Sequence, residues 1–456
     1  MVSGLGLRLS RVFERTAPDP FVLAILLTLV TAALALTLGD FGDAPRAVAL
    51  LDTWRGPEGL WKFLAFGMQM CLVLVTGHAL AASGPVRLLV DRLASLPRSG
   101  AAAAAMIALV ACIAGLVNWG LGLIVGALLA REVGRALSAR GAAAHGPLLA
   151  AAGYSGMLVW HGGFSGSAPL AMTTADGASK VLPEQALANF ADGVPLSATI
   201  LSPLNLIATG GLVVLVPLVY FALSPRNPDD CRPLAVTKTG GEKADDLPSS
   251  SIPERLNRSR IIAGLLAATM AAAAVRSAAA GGFVRIGLNE INAAMLAAGL
   301  VLHGSPRSYV AAAEDGARGC AGIILQFPLY AGIMGMLAES GLLARFADLM
   351  SGAGATALPL ATAASAAAVN LFVPSGGGQW GIQGPIALEA GLAAGVEPGR
   401  MIMAVAYGDQ LTNMLQPFWA LPLLAITGCK AREIVGFTAV AMAVAAVWLG
   451  LCLIVF

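Results

Sequence analysis

Apolar runs of helical length alternate with short charged stretches along almost the whole chain. Several exceed ~18 residues without a fixed charge, enough for a helix to cross about 30 Å of hydrocarbon. Read as single spans, these runs are 20–38, 60–82, 194–223, 260–278, 284–302, 319–339 and 433–456. Two further spans, 147–174 and 400–428, are interrupted by polar, glycine- or proline-bearing stretches. Segments 100–133 and 355–393 also carry a polar, glycine-rich break between two apolar arms. The arm after the first of these breaks, 121–130, reads as too short to cross. Both segments are therefore expected to be re-entrant hairpins that return to the side they entered. The pattern predicts an all-α polytopic membrane protein, an inverted repeat with about nine transmembrane helices, two re-entrant hairpins and broken helices at the midplane.

The break in 355–393 organises this reading. It runs Asn370-Leu-Phe-Val-Pro374-Ser-Gly-Gly-Gly378-Gln-Trp380. Proline removes a backbone donor and glycine admits positive φ, so a helix cannot run straight through. Within a membrane such backbone is tolerated only where protein or a water-filled cavity covers it.

Composition sharpens the class. The 456 residues are 57% hydrophobic and 12% charged, with mean hydropathy +0.78, which places the chain among membrane proteins. A formal charge of +2 argues against a nucleic-acid partner. The cysteines at 71, 112, 231, 320, 429 and 452 stand singly, with no metal or disulfide spacing. The first run has a rival reading as a signal peptide cleaved near Ala33–Ala35, but it is long for that and many spans follow. Before it, Arg8, Arg11 and Arg15 suit a short amphipathic lead-in. The one long polar stretch, 224–258, is rich in proline, glycine and serine and reads as a flexible cytoplasmic linker between halves 1–223 and 259–456.

Those halves repeat. Gln69, Ser83-Gly84 and Asp91 have the same spacing as Gln326, Ser340-Gly341 and Asp348. Asn118 opens the first break and Asn370 the second, and Tyr154 and Pro169 are spaced as Tyr407 and Pro422 are. An odd number of spans between the copies turns the second upside down, the architecture of secondary transporters. With the N-terminus inside and the C-terminus outside, 20 of the 28 basic residues fall on cytoplasmic segments, Lys238 and Lys243 of the linker among them. The outer side then holds the acidic loop of Asp176, Glu184 and Asp192.

Four breaks are expected to converge: 118–122, 160–167, 370–380 and 409–417. Helix N-termini freed there would aim partial positive charge at a bound anion. The substrate-binding set is Asn118, Trp119, Gly120, Gly163, Ser165, Ser167, Asn370, Ser375, Gly376, Gly377, Gln379, Asn413 and Gln416. Small residues at breaks also serve plain helix packing. Asp409 is the one carboxylate far from both ends of a span, and such residues usually mark ion or proton paths. His161 is the second ion-coupling candidate, with a packing role as its bland alternative. His78, near a span end, ranks below it. Trp119, Trp160, Phe164, Trp380, Phe418 and Trp419 would wall an apolar pocket for a short carbon tail or serve as core. Gly163-Phe-Ser165-Gly166 matches a weak intramembrane protease pattern whose later histidine would be His303. No catalytic residue, metal site or cofactor is expected beyond a coupling proton or sodium ion. The partners expected are the lipid bilayer and a small carboxylate, with a homodimer as the candidate assembly.

Several stretches carry a resemblance: Pro18-Asp-Pro20, Phe63-Leu-Ala-Phe-Gly-Met-Gln-Met70, Thr76-Gly-His-Ala-Leu80, Asn118-Trp-Gly-Leu-Gly122, Gly163-Phe-Ser-Gly-Ser167, Val373-Pro-Ser-Gly-Gly-Gly378 and Gln416-Pro-Phe-Trp-Ala-Leu-Pro422. In these the chain resembles the bacterial short-chain fatty acid transporters and, distantly, a larger ion-transporter superfamily with paired hairpins. The resemblance implies symport of butyrate or acetoacetate across the bacterial inner membrane. It departs from the family pattern at His161, where glycine is usual. The wider group's Ser-Asn-Thr sodium signatures are also missing at both tips. A carrier or antiporter for another small anion such as a dicarboxylate, and a channel-like anion pore, remain the alternative readings.

Overall fold

The computed structural model describes residues 2–179, 182, 190, 192–234, 251–281, 288–342, 344–345 and 354–456. Glu184, Lys238, Lys243, Asp348 and the segment 284–287 lie outside the described residues. The fold is all-helical, with no strand among the described residues.

Six helices in the described residues are long and apolar enough to cross a membrane: Pro20–Leu38, Leu64–Ala82, Gly100–Val117, Pro203–Leu223, Pro306–Glu339 and Ala431–Val455. Their starts are written locally. Asp19 caps Pro20–Leu38 by accepting the N–H of Phe21, with proline at the first helical position. Ser99 and Ser202 do the same for Gly100–Val117 and Pro203–Leu223. Large apolar side chains point outward along these rods, among them Leu29, Val214 and Leu218 at roughly 60% exposure. Such a surface suits lipid.

Three charged helices carry no long apolar run and escaped the hydropathy pattern: Arg46–Arg55, Gly84–Ser95 and Pro306–Ala317. The last runs through a short 3-10 turn into Ala321–Glu339 as one long rod. The amphipathic lead-in is the helix Val2–Thr16, which packs on the final helix, with Ser10 donating to the Glu433 carbonyl at 3.0 Å. The described ends of the linker are pinned, since Gly146 N–H donates to the Arg232 carbonyl and Arg258 and Arg307 both pair with Glu254.

The segment read as the first hairpin is two helices, Gly100–Val117 and Trp119–Ala139, packed on each other about a break at Asn118. The second helix ends six residues later than 133 and is 21 residues long, a length of about 31 Å. Its second half turns charged, and Glu132 ties Arg131 and Arg135 together there. The shortness of 121–130 therefore gives no reason for the chain to turn back. Glycine lets the helices meet at their backbones, since a Cβ on Gly122 would lie 2.6 Å from the Gly115 Cα. The second segment is Leu358–Asn370 and Gly376–Ala393 about 371–375. Leu358–Asn370 packs most closely against Pro398–Thr412, where Gly408 leaves room for the Ala363 carbonyl.

Both interrupted spans are broken. Gly146–Gly153 passes through 3-10 turns at Tyr154–Leu158 and Trp160–Gly162 before the helix Ser167–Ala171. Pro398–Thr412 passes through Asn413–Leu415 and an extended Gln416 into Pro417–Thr427. Proline at 417 lacks the N–H that would continue the ladder.

Candidate functional site

The breaks interlock. Phe164 N–H donates to the Leu116 carbonyl at 2.7 Å, and Trp119 N–H donates to Ser165 Oγ at 2.9 Å, so the first break is tied to the second. Gly163 permits this, because a Cβ there would sit 2.7 Å from the Leu116 Cα. The tip at Gly376 reaches the same place. A Cβ on Gly376 would fall 2.8 Å from the Trp160 ring, 3.1 Å from the His161 ring and 3.3 Å from Ser167 Oγ. A Cβ on Gly377 would meet open space.

Asn370 holds the third break to the fourth. Its Nδ2 donates to the Asp409 carbonyl at 2.8 Å and lies 3.0 Å from Thr412 Oγ1 and Asn413 Oδ1. In return Gln416 Nε2 donates to the carbonyls of Asn370 and Leu371. Tyr154 closes the ring from the first half, its hydroxyl 2.9 Å from the Asn413 carbonyl and 3.3 Å from that of Gln416.

At the centre, His161 Nδ1 lies 3.3 Å from Asp409 Oδ1, both side chains at most 2% exposed. His161 Nε2 accepts the N–H of Ala168 at 3.1 Å, so the neutral ring carries its proton on Nδ1, which lies close to the carboxylate without forming an aligned hydrogen bond. Asp409 Oδ2 has no hydrogen-bond partner, and the amides of Gln410 and Asn413 keep unpartnered donors in full burial. Buried polar atoms left this way in native folds call for an explanation such as a ligand or ion.

The aromatic wall is partly as expected. Trp119 packs edge-on to Trp419 at 4.9 Å and to Trp160 at 6.5 Å, and Phe418 joins Trp419 at 5.0 Å. Phe66 and Phe327, unsuspected from sequence, extend it, stacked on each other at 5.6 Å. Phe164 is instead 51% exposed, and Trp380 is buried against Gly384 within its own helix.

Other expected donors are used internally. The first turn of Trp119–Ala139 is satisfied: Asn118 Oδ1 accepts from Gly120 and Leu121, and the Asn118 carbonyl accepts from Gly122. With Trp119 donating to Ser165, this end is closed by its own cap and is not a bare anion cradle. Ser375 likewise takes the Gly378 N–H. Gln379 bonds the Ala366 carbonyl and Gln383 along its own hairpin, not the centre.

Sequence reasoning missed Asn205. Its Nδ2 donates to the carbonyls of Gly162 and Ile200, and its Oδ1 accepts from Thr209 and Tyr407. It joins the His161 break to the Asp409 helix, and the recurring Tyr407 was its signal. As for the protease pattern, His303 Nε2 is engaged by the Ala79 carbonyl at 2.7 Å while Ser165 serves Trp119. No group of three metal-ligating side chains occurs among the described residues.

A family profile described as "Short chain fatty acid transporter" matches residues 1–456. The chain is 38% identical over 447 residues to a protein of Escherichia coli (strain K12) named as a short-chain fatty acid transporter, covering 97% of each. A Haemophilus influenzae protein of the same name is 36% identical over 448 residues, again 97% of each. A crystal structure of the Alcanivorax borkumensis YdaH transporter aligns over 96% of this chain and 97% of that one at 18% identity, with a TM-score of 0.42, a loose likeness.

Proposed function

The chain belongs to the short-chain fatty acid transporter family, and from that premise we propose that it is a secondary carrier of short monocarboxylates, butyrate and acetoacetate among them, coupled to a cation. Its halves are inverted copies joined by the 224–258 linker. Segments 100–133 and 355–393 are re-entrant from opposite faces of the bacterial inner membrane. The N-terminus is cytoplasmic.

The observation that supports this most is the buried Asp409 carboxylate, with one oxygen against His161 and the other unpartnered. An ionised Asp409 opposes a second carboxylate in the same water-poor space. At about 5 Å and an effective dielectric of 20 the repulsion is ~3 kcal/mol, a factor of roughly 200 in affinity. A proton or sodium ion on Asp409 removes that penalty, so substrate and cation bind together. Neutralised Asp409 leaves the donors of Gln410, Asn413 and Trp160, each buried without a partner, to receive the substrate carboxylate. The Trp119–Trp160–Trp419 wall takes its alkyl tail.

The test is counterflow of labelled butyrate, acetoacetate and succinate in proteoliposomes, with and without sodium and across a pH gradient. Concentrative uptake of the monocarboxylates driven by one cation is expected. Succinate as the better substrate, or flux that never exceeds equilibration, would point to the dicarboxylate carrier or to a pore.

A further inference from the structure

Away from the breaks, a cavity of about 270 Å³ opens among Leu64–Ala82, Gly84–Ser95, Trp119–Ala139 and Pro306–Ala317. Helical spacing builds its lining. Leu128, Arg131 and Arg135 stand three and four residues apart and share a face, as do Arg87 and Val90. Three guanidinium groups thus meet apolar side chains in one concavity.

Its acids are already engaged. Glu132 is held by Arg131 at 2.7 Å and by Arg135 at 3.2 Å, and Asp315 Oδ2 lies 3.0 Å from His78 Nε2, whose N–H it accepts. Arg87 has no ion-pair partner among the described residues. Among the described residues the lining therefore carries three guanidinium charges against two carboxylates, an excess of positive charge in a recess. A planar guanidinium matches a carboxylate in shape and is less hydrated than an ammonium. The wall beside it, Val90 and Leu128 with the methyl groups of Ala311 and Ala312, is apolar.

We propose that this cavity is a second binding site for a small monocarboxylate, its head on Arg87 and its short tail against Val90 and Leu128. In the proposed topology it faces the cytoplasm, where substrate leaving the midplane is held before release. The ligand class rests on the proposed function; the site itself rests on the cavity and its charge.

The experiment is equilibrium binding of labelled butyrate to the full chain in detergent at low salt, since exposed charges are screened as salt rises. Wild type is compared with Arg87→Gln, Arg87→Lys and, at the midplane, Asn413→Asp. Arg87 is exposed, so its variants keep the fold, and melting curves verify this. Two butyrates per chain are expected in wild type. Arg87→Gln weakens one of them about tenfold or more, the worth of one charge-assisted contact, and Arg87→Lys restores part of it. Asn413→Asp removes the other. A single butyrate lost in Arg87→Gln and kept in Asn413→Asp would support the cavity while overturning the midplane reading. Arg87→Gln binding as wild type does, or no butyrate binding to any variant, would overturn the second site.

Discussion

His161 and Asp409 stand 3.3 Å apart, buried at the meeting of two broken helices drawn from opposite halves of the chain. The contact has a direction, because Ala168 N–H occupies His161 Nε2 and leaves Nδ1 to face the carboxylate. Each break is bent so that this pair can form. Gly376 brings the third break against the His161 ring, and Asn205 links the Gly162 carbonyl to Tyr407, two residues before Asp409. The consequences are open to substitution.

Gly376 and Gly377 should separate close approach from mere flexibility. Gly376→Ala pushes a methyl to 2.8 Å from Trp160 and 3.1 Å from His161, whereas at Gly377 the same methyl enters open space. Gly376→Ala is expected to lower transport at least tenfold while the protein stays folded, and Gly377→Ala to remain near wild type. Initial rates of counterflow against melting temperature check both.

Asn205→Ala strands the Gly162 and Ile200 carbonyls and the hydroxyls of Thr209 and Tyr407 in a buried position. Unpaired buried groups cost about 1–3 kcal/mol each, so a loss of ~3 kcal/mol or more is expected. Tyr407→Phe removes one donor and should cost about 1 kcal/mol. Denaturation in detergent gives the comparison.

His145, in the loop before Gly146–Gly153, accepts the N–H of Arg232 through Nδ1 and is nearly buried. Burial, then the Arg232 charge, lowers its pKa to about 4, although Asp230 and Glu14 act the other way. The folded state therefore keeps this ring neutral where the unfolded chain takes up a proton. Stability should fall as pH drops below about 6.5 and level off near 4, a total of ~3 kcal/mol from this residue. Melting curves of wild type and His145→Gln should run in parallel at neutral pH and part as pH falls from about 6.5 to 4, where only the wild type loses stability.

Much of this was legible in the sequence, and the reasons are local. Pro374 has no N–H to continue a helical ladder, so a break near it was foreseeable, although the three glycines after it form the first turn of Gly376–Ala393 behind the Ser375 cap. Asp409 stood out because a carboxylate in an apolar run is rare. Hydropathy cannot see charged helices such as Gly84–Ser95, nor the length of Trp119–Ala139, whose last turns are held by ion pairs. It also could not show that Asn118 spends its side chain on its own helix, since a cap and a ligand use the same atoms. Asn205 lay in an ordinary capped helix start, and only the recurrence of its partner Tyr407 hinted at it.

In the proposed carrier, Asp409 must be neutralised before a carboxylate binds beside it. This requirement is tested most directly by equilibrium binding of labelled butyrate to wild type and Asp409→Asn across a series of pH and sodium concentrations, with Arg87→Gln in both to isolate the midplane site. Wild-type affinity should rise by roughly two orders of magnitude as the coupling cation saturates, while Asp409→Asn binds tightly throughout. An equal cation dependence in both proteins would mean that Asp409 does not carry the coupling charge.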